Sequence, residues 1–221
     1  MESKDNVKHR NKELTKRKLL QAVGEIIIEK GYAGLGVNKI ANKAGVDKKL
    51  IYRYFGDGNV LVETYILEKD YWFSLADKLQ EFNEIEKPDK AKEIISAILE
   101  RQFTFFYDEE AMQRLILEEL TAKSSLMVSI CNIRGNIGAS LLKHTDPYFK
   151  NSGVNFRAVS ALLLSGIYYL VLQARINGGT ICGIDINSAA GRKEITKTIR
   201  HIVEWAYDAP AAGAKTNSNE N

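Results

Sequence analysis

The chain has 221 residues, 45% of them hydrophobic, with 31 Lys and Arg against 28 Asp and Glu. That length makes one large or two small domains, and the apolar content is enough for a proper core. Its two cysteines, Cys131 and Cys182, are 51 positions apart, which excludes a metal-type Cys spacing and favours two reduced thiols.

The net charge of +3 is unevenly spread. Residues 1–58 hold 13 Lys and Arg against 7 Asp and Glu, a balance of +6, and residues 59–221 hold 18 against 21, a balance of −3. A basic N-terminal end suits a phosphate partner there and not elsewhere. Residues 1–14 read as a flexible basic arm, and because the chain stays polar past Lys18 no signal peptide is expected. The first helix is expected over Thr15–Lys30, with Leu19, Ala22, Val23, Ile26 and Ile27 on one side, ending at Gly31.

Val37–Phe55 is the most informative segment. Val37, Ile40, Ala41 and Ala44 recur at helical period, Gly45 offers a permissive turn, Val46 plugs the joint, and Asp47 can cap the next helix. That second helix buries Ile51 and Phe55. At about 100° per residue, Lys49 and Arg53 then project away from the buried side, flanked by Leu50 and Tyr52. An apolar back with a cationic, hydroxyl-bearing front is the pattern of a helix-turn-helix that enters the major groove of DNA.

From about Thr15 to Leu61 the chain resembles the DNA-binding domain of the tetracycline-repressor (TetR) family of bacterial transcription regulators. The matching pieces are Glu29–Tyr32 closing the first helix, Ile40-Ala41 with Ala44-Gly45-Val46, and Ile51–Phe55. The likeness covers about the first quarter of the chain. Two positions depart from the family pattern. Leu35-Gly36 stands where a small hydroxyl residue usually precedes the second helix, and Gly58 stands where a lysine usually follows the aromatic pair. Without that lysine, free amides at the helix starting near Asn59 are expected to hold phosphate alone.

Lys49 and Arg53 are therefore candidates for base contacts, Leu50 for a thymine methyl, and Lys48, Tyr52, Asn38 and Lys39 for phosphate contacts that set register.

Beyond the helix-turn-helix, a long helix is expected from Asn59 to about Phe82, with Tyr65, Trp72, Leu75, Leu79 and Phe82 on one stripe, then a linker at Glu84–Pro88. Helices follow over Asp89–Tyr107, then from Asp108 through Leu120, then from Ser124 or Ser125 to near Asp146-Pro147. Val154–Asn177 and Ser188–Tyr207 complete an all-α chain of about nine helices, and residues 208–221 read as a disordered tail. The expected domains are residues 15–58 for DNA and 59–207 for effector binding and dimerisation.

Catalysis finds little support. His9, His144 and His201 are far apart and fit no metal-ligand spacing, adjacent Glu118 and Glu119 point to different faces, and no phosphate-cradling loop or nucleophile elbow occurs. No metal and no cofactor is expected. The aromatics Tyr65, Trp72, Phe103, Phe106 and Tyr107 could line an apolar cavity among the fourth to seventh predicted helices, with Gln102, Glu119 or Arg134 orienting a guest, although the residues taken one by one favour ordinary core.

Val154–Asn177 is apolar nearly all round from Ala161 to Leu172, where a monomer's surface helix would keep a polar face. Ser160, Ser165, Gly166 and Gln173 argue against a membrane span, so a soluble, cytoplasmic protein is expected. Burial on two sides, one of them by a second copy, resolves the conflict. Ala158, Ala161, Ser165 and Tyr169, with Ile199 and Ile202 of the last helix, are the candidate interface. The TetR family, which the chain resembles, also pairs through its last two long helices.

These readings converge on a homodimeric transcription regulator, a repressor released from double-stranded DNA by a small apolar or amphipathic effector. The alternative is a DNA-binding adaptor whose C-terminal domain docks a protein.

Overall fold

The structure, a computed structural model, describes residues 4–76, 88–121 and 124–216. The predicted helix continuation through Leu79 and Phe82, and the linker before Pro88, lie outside the described residues. Among the described residues the chain is all-helical: α1 (Lys4–Lys30), a 3-10 turn (Tyr32–Gly34), α2 (Val37–Ala44), α3 (Lys49–Phe55), α4 (Gly58–Lys69), α5 (Tyr71–Ala76), α6 (Pro88–Asp108), α7 (Glu110–Thr121), α8 (Ser125–Leu142), α9 (Asp146–Phe149), α10 (Phe156–Ile176) and α11 (Ala189–Thr216). An isolated antiparallel bridge, Ile181 to Ile184, is the one trace of extended pairing among the described residues.

Three expectations about the elements are corrected. Residues 4–14 are no separate arm, because they continue α1. No Gly or Pro interrupts the chain before Gly24, so nothing there stops a helix once the apolar face after Leu19 is anchored. The predicted helix from Asn59 breaks at Asp70, whose backbone is extended (φ −77°, ψ 131°) and whose carboxylate accepts the amide hydrogen of Trp72 at 2.9 Å. Asp70 thus ends α4 and caps α5. The predicted tail is helical to Thr216, in keeping with Ala209, Ala211, Ala212 and Ala214.

The chain divides into two compact units, residues 1–74 with 110–133, and residues 75–109 with 134–221. This division departs from the expected boundary at residue 58. In the first unit α1 packs against α2, α4 and α7, and α3 packs on α4. Leu19, Val23, Ile26 and Ile27 of α1 are buried, as are Leu61, Val62, Tyr65 and Ile66 of α4. Gly24 admits the Tyr65 ring so closely that a Cβ there would stand 2.6 Å from its hydroxyl. That contact explains why α4 belongs in one unit with α1.

In the second unit α6 packs against both α10 and α11. Phe103 and Phe106 are almost fully buried there, with Ile95, Leu99, Ile167, Val171, Ile199 and Val203. Each side chain of this size contributes about 1.5–3 kcal/mol on burial. A second aromatic cluster joins Tyr148, Phe149, Phe156 and Tyr207, with Phe149 and Phe156 stacked 4.6 Å apart. The loop before α11 is tied down by Tyr107, whose ring lies between the guanidinium groups of Arg175 and Arg192 at 4.0 and 4.6 Å. Arg192 also donates to the carbonyls of Ile186 and Asn187.

Candidate nucleic-acid interface

The turn between α2 and α3 is built as the residues predict. Gly45 is left-handed (φ 65°, ψ 36°), and the amide of Val46 donates to the Ala41 carbonyl at 3.0 Å, a Schellman closure of α2. The Asp47 carboxylate then accepts from the amide of Lys49 at 2.8 Å and opens α3. No side chain caps the start of α2 at Gly36, where the hydroxyl residue is missing. Instead, the Lys39 ammonium donates to the Gly34 carbonyl at 3.1 Å, tying α2 to the turn before it. Lys43 binds Glu29 and lies 3.6 Å from Glu25, bracing α2 on α1. The pairing lowers the Glu29 carboxyl and raises the Lys43 ammonium, the hydrogen bond between them being the main cause of both shifts.

On α3, Ile51 is fully buried, whereas Lys48, Lys49, Tyr52 and Arg53 are exposed and Leu50 is half-buried. The candidates of α3 thus share an outward surface. Asn38 on α2 is exposed. Lys39 is exposed along its length, but its ammonium is already held on Gly34. Two further cations, absent from the sequence-based candidates, lie beside this helix. Lys12 sits over the Tyr54 ring at 5.9 Å and Lys16 over the Phe55 ring at 6.0 Å, while Arg53 lies 6.0 Å from Tyr54 on its own helix. Their signal in the sequence is the i, i+4 spacing of Lys12 and Lys16, which matters only once residues 4–14 are helical.

The expectation of free amides at the start of α4 is corrected for two of them. The Asp57 carboxylate accepts from the amides of Asn59 at 2.6 Å and Val60 at 3.0 Å. Those donors are occupied, and by an anion. A Cβ on Gly58 would stand 2.7 Å from Cγ2 of Val37, so the closeness of α2 and α4 accounts for glycine at this position.

The residues considered for an effector fall in both units. Tyr65 and Trp72 are buried in the first, where Glu119 is half-buried. In the second, Gln102, Phe103, Phe106 and Arg134 are buried. Gln102, 2% exposed, donates its amide to the Tyr168 hydroxyl at 3.3 Å, and its Oε1 has no hydrogen-bond partner. The Tyr168 ring meets Phe106 edge-on at 4.8 Å. An open surface hollow of about 730 Å³ lies elsewhere in this unit, lined by Asp146, Phe149, Phe156 and Arg157 among others, and none of the predicted effector residues borders it.

Of the residues considered for dimerisation, Ala158, Ala161, Ser165 and Tyr169 are exposed on α10, and Ile202 is half-buried on α11. Ile199 is 4% exposed and belongs to the unit's own core. Three large apolar residues of these two helices are strongly exposed: Leu162 at 76%, Ile176 at 58% and Trp205 at 65%. By length and composition α10 could cross a bilayer, although its last turn carries the charged Arg175.

Comparison with known proteins agrees with this geometry. Residues 16–64 match the family described as bacterial regulatory proteins, tetR family. Among solved structures, the fatty acid degradation regulator FadR of Bacillus halodurans is 19% identical with a TM-score of 0.60, over 84% of this chain and 94% of that one. The transcriptional regulator FadR of Bacillus subtilis in complex with stearoyl-CoA is 18% identical with a TM-score of 0.61, over 87% and 98%. A TetR-family transcription regulator of Marinobacter aquaeolei VT8 is 16% identical with a TM-score of 0.60, over 91% and 97%. At these identities the likeness is one of fold. No curated protein is similar in sequence. The outward cationic face of α3 and its glycine-closed turn both fall within residues 16–64, the segment that matches the family of bacterial regulatory proteins, tetR family.

Proposed function

We propose that the protein is a homodimeric, cytoplasmic repressor that leaves its operator when a small molecule binds the second unit. The observation that carries the DNA reading is α3 itself: Lys48, Lys49, Tyr52 and Arg53 are outward on a helix whose back, Ile51, is fully buried. Lys49 and Arg53 read base edges, while Lys48, Tyr52 and Asn38 hold phosphate. Dimerisation is supported by Leu162, Tyr169, Ile176 and Trp205. Four large apolar side chains at 58–76% exposure on the last two long helices form a surface that a partner would cover.

The effector reading rests on Gln102. A buried amide with one oxygen unpartnered among aromatic side chains can orient an apolar guest by a single polar group. Because a FadR of similar fold is seen with stearoyl-CoA, long-chain acyl thioesters are the first compounds to test. Duplexes selected from a random library by the purified protein should share a palindromic site. Arg53→Ala should lose the preference for that site, and an active effector should release it. Failure to enrich any sequence would end the regulator reading.

A further inference from the structure

We propose that the N-terminal half of α1 is a rigid phosphate clamp that grips the DNA backbone beside the groove entered by α3, in place of a contact from the start of α4. The inference rests on the DNA-binding reading above. Three observations carry it.

First, two of the amides at the start of α4 are already bonded to a carboxylate. The Asp57 carboxylate occupies the amide hydrogens of Asn59 and Val60, and Gly58 carries no side chain. Van der Waals contact with Val37 leaves no room for a Cβ there.

Second, residues 9–18 hold five Lys and Arg against one Glu, and they lie within α1. A helix presents its cations at fixed positions, so no ordering of a loose arm opposes binding.

Third, this helix is registered against α3. Lys12 and Lys16 project over Tyr54 and Phe55, the aromatic pair at the C-terminal end of α3, and Arg53 lies against the same Tyr54. Glu13 reaches Lys16 at 3.6 Å, a loose and exposed pairing that leaves the local charge positive. Three cations drawn to two neighbouring rings repel one another, and a bound anion relieves that repulsion. Each ring attracts one lysine ammonium, and neither ammonium is buried, since Lys12 is exposed and the Lys16 side chain is 30% exposed. The clamp therefore carries no sequence information. It sets affinity and register while α3 reads bases.

The test is the salt dependence of binding, measured by fluorescence anisotropy on a selected duplex and on a random-sequence duplex between about 50 and 200 mM salt. Each lost phosphate contact lowers the slope of log affinity against log salt by about 0.9. Lys12→Gln/Lys16→Gln should lower it by about 1.8 on both duplexes, so that the wild-type advantage grows about twelvefold from 200 to 50 mM. Lys12→Arg/Lys16→Arg should keep the wild-type slope. Helix content by circular dichroism checks that the neutral variant is folded. Lys12→Gln alone, at an exposed position, should give half the change and serves should the double variant unfold. An unchanged slope in a neutral variant, with the wild type still binding, overturns the clamp and leaves the regulator reading intact. A wild type that binds neither duplex overturns both.

Discussion

Replacing Gly58 with alanine tests whether the junction of α2 and α4 is as tight as the geometry states. Glycine to alanine at an unstrained helical position normally stabilises, by up to about 1 kcal/mol in a helix interior and less at the first position. Here the new methyl carbon would lie 2.7 Å from Cγ2 of Val37. Val37 is β-branched and opens α2, so rotation about its first side-chain bond is restricted and the conflict falls on the helices themselves. Overpacking of this kind typically costs about 1–3 kcal/mol, which exceeds the propensity gain. Gly58→Ala should therefore destabilise the head by about 1 kcal/mol. Val37→Ala removes the conflicting carbon, so the double variant should recover most of that loss, a coupling of about 1–2 kcal/mol in a double-mutant cycle. Urea unfolding followed by tryptophan fluorescence is suited to this, because Trp72 is buried in the first unit whereas Trp205 is 65% exposed in the second. A Gly58→Ala protein more stable than wild type, or a cycle without coupling, would refute the close approach. The same conflict means that Gly58→Lys cannot simply restore the family's lysine.

Four further outcomes are expected. Arg53→Ala should cost about 1–3 kcal/mol of discrimination between operator and random duplex, read by competition binding. Tyr169→Asp, on the exposed face of α10, should yield a folded monomer of 24.8 kDa in analytical ultracentrifugation, whereas the wild type should sediment as a dimer. Tyr207→Phe should stabilise the second unit or leave it unchanged, since the buried Tyr207 hydroxyl has no hydrogen-bond partner to lose. Burial, with a smaller contribution from Tyr148, also pushes the Tyr207 phenol above its ordinary 10.0. The native state then keeps a proton that the unfolded chain releases, so wild-type stability should fall as pH rises past about 10 more steeply than that of Tyr207→Phe.

The features of this protein that are legible without coordinates are those encoded by short-range spacing. The turn at Gly45, the cap at Asp47 and the burial of Ile51 depend on neighbours within about one helical turn, and the structure builds each of them. The helicity of the described residues is legible for the same reason, as is the exposed apolar surface of α10, because uninterrupted Leu, Ile and Tyr leave a helix without a polar face. Other features arise only where distant residues meet. Ile199 and Ile202 look alike on one stripe, but only the first is buried in the unit's own core. Gly58 looks like a missing lysine, and Val37, 21 positions away, supplies the steric reason. The basic residues before Thr15 read as an arm because charge alone favours solvation. Their register beside Tyr54 and Phe55 exists only because α1 and α3 fold into one unit, a contact across about 40 positions that no local pattern encodes.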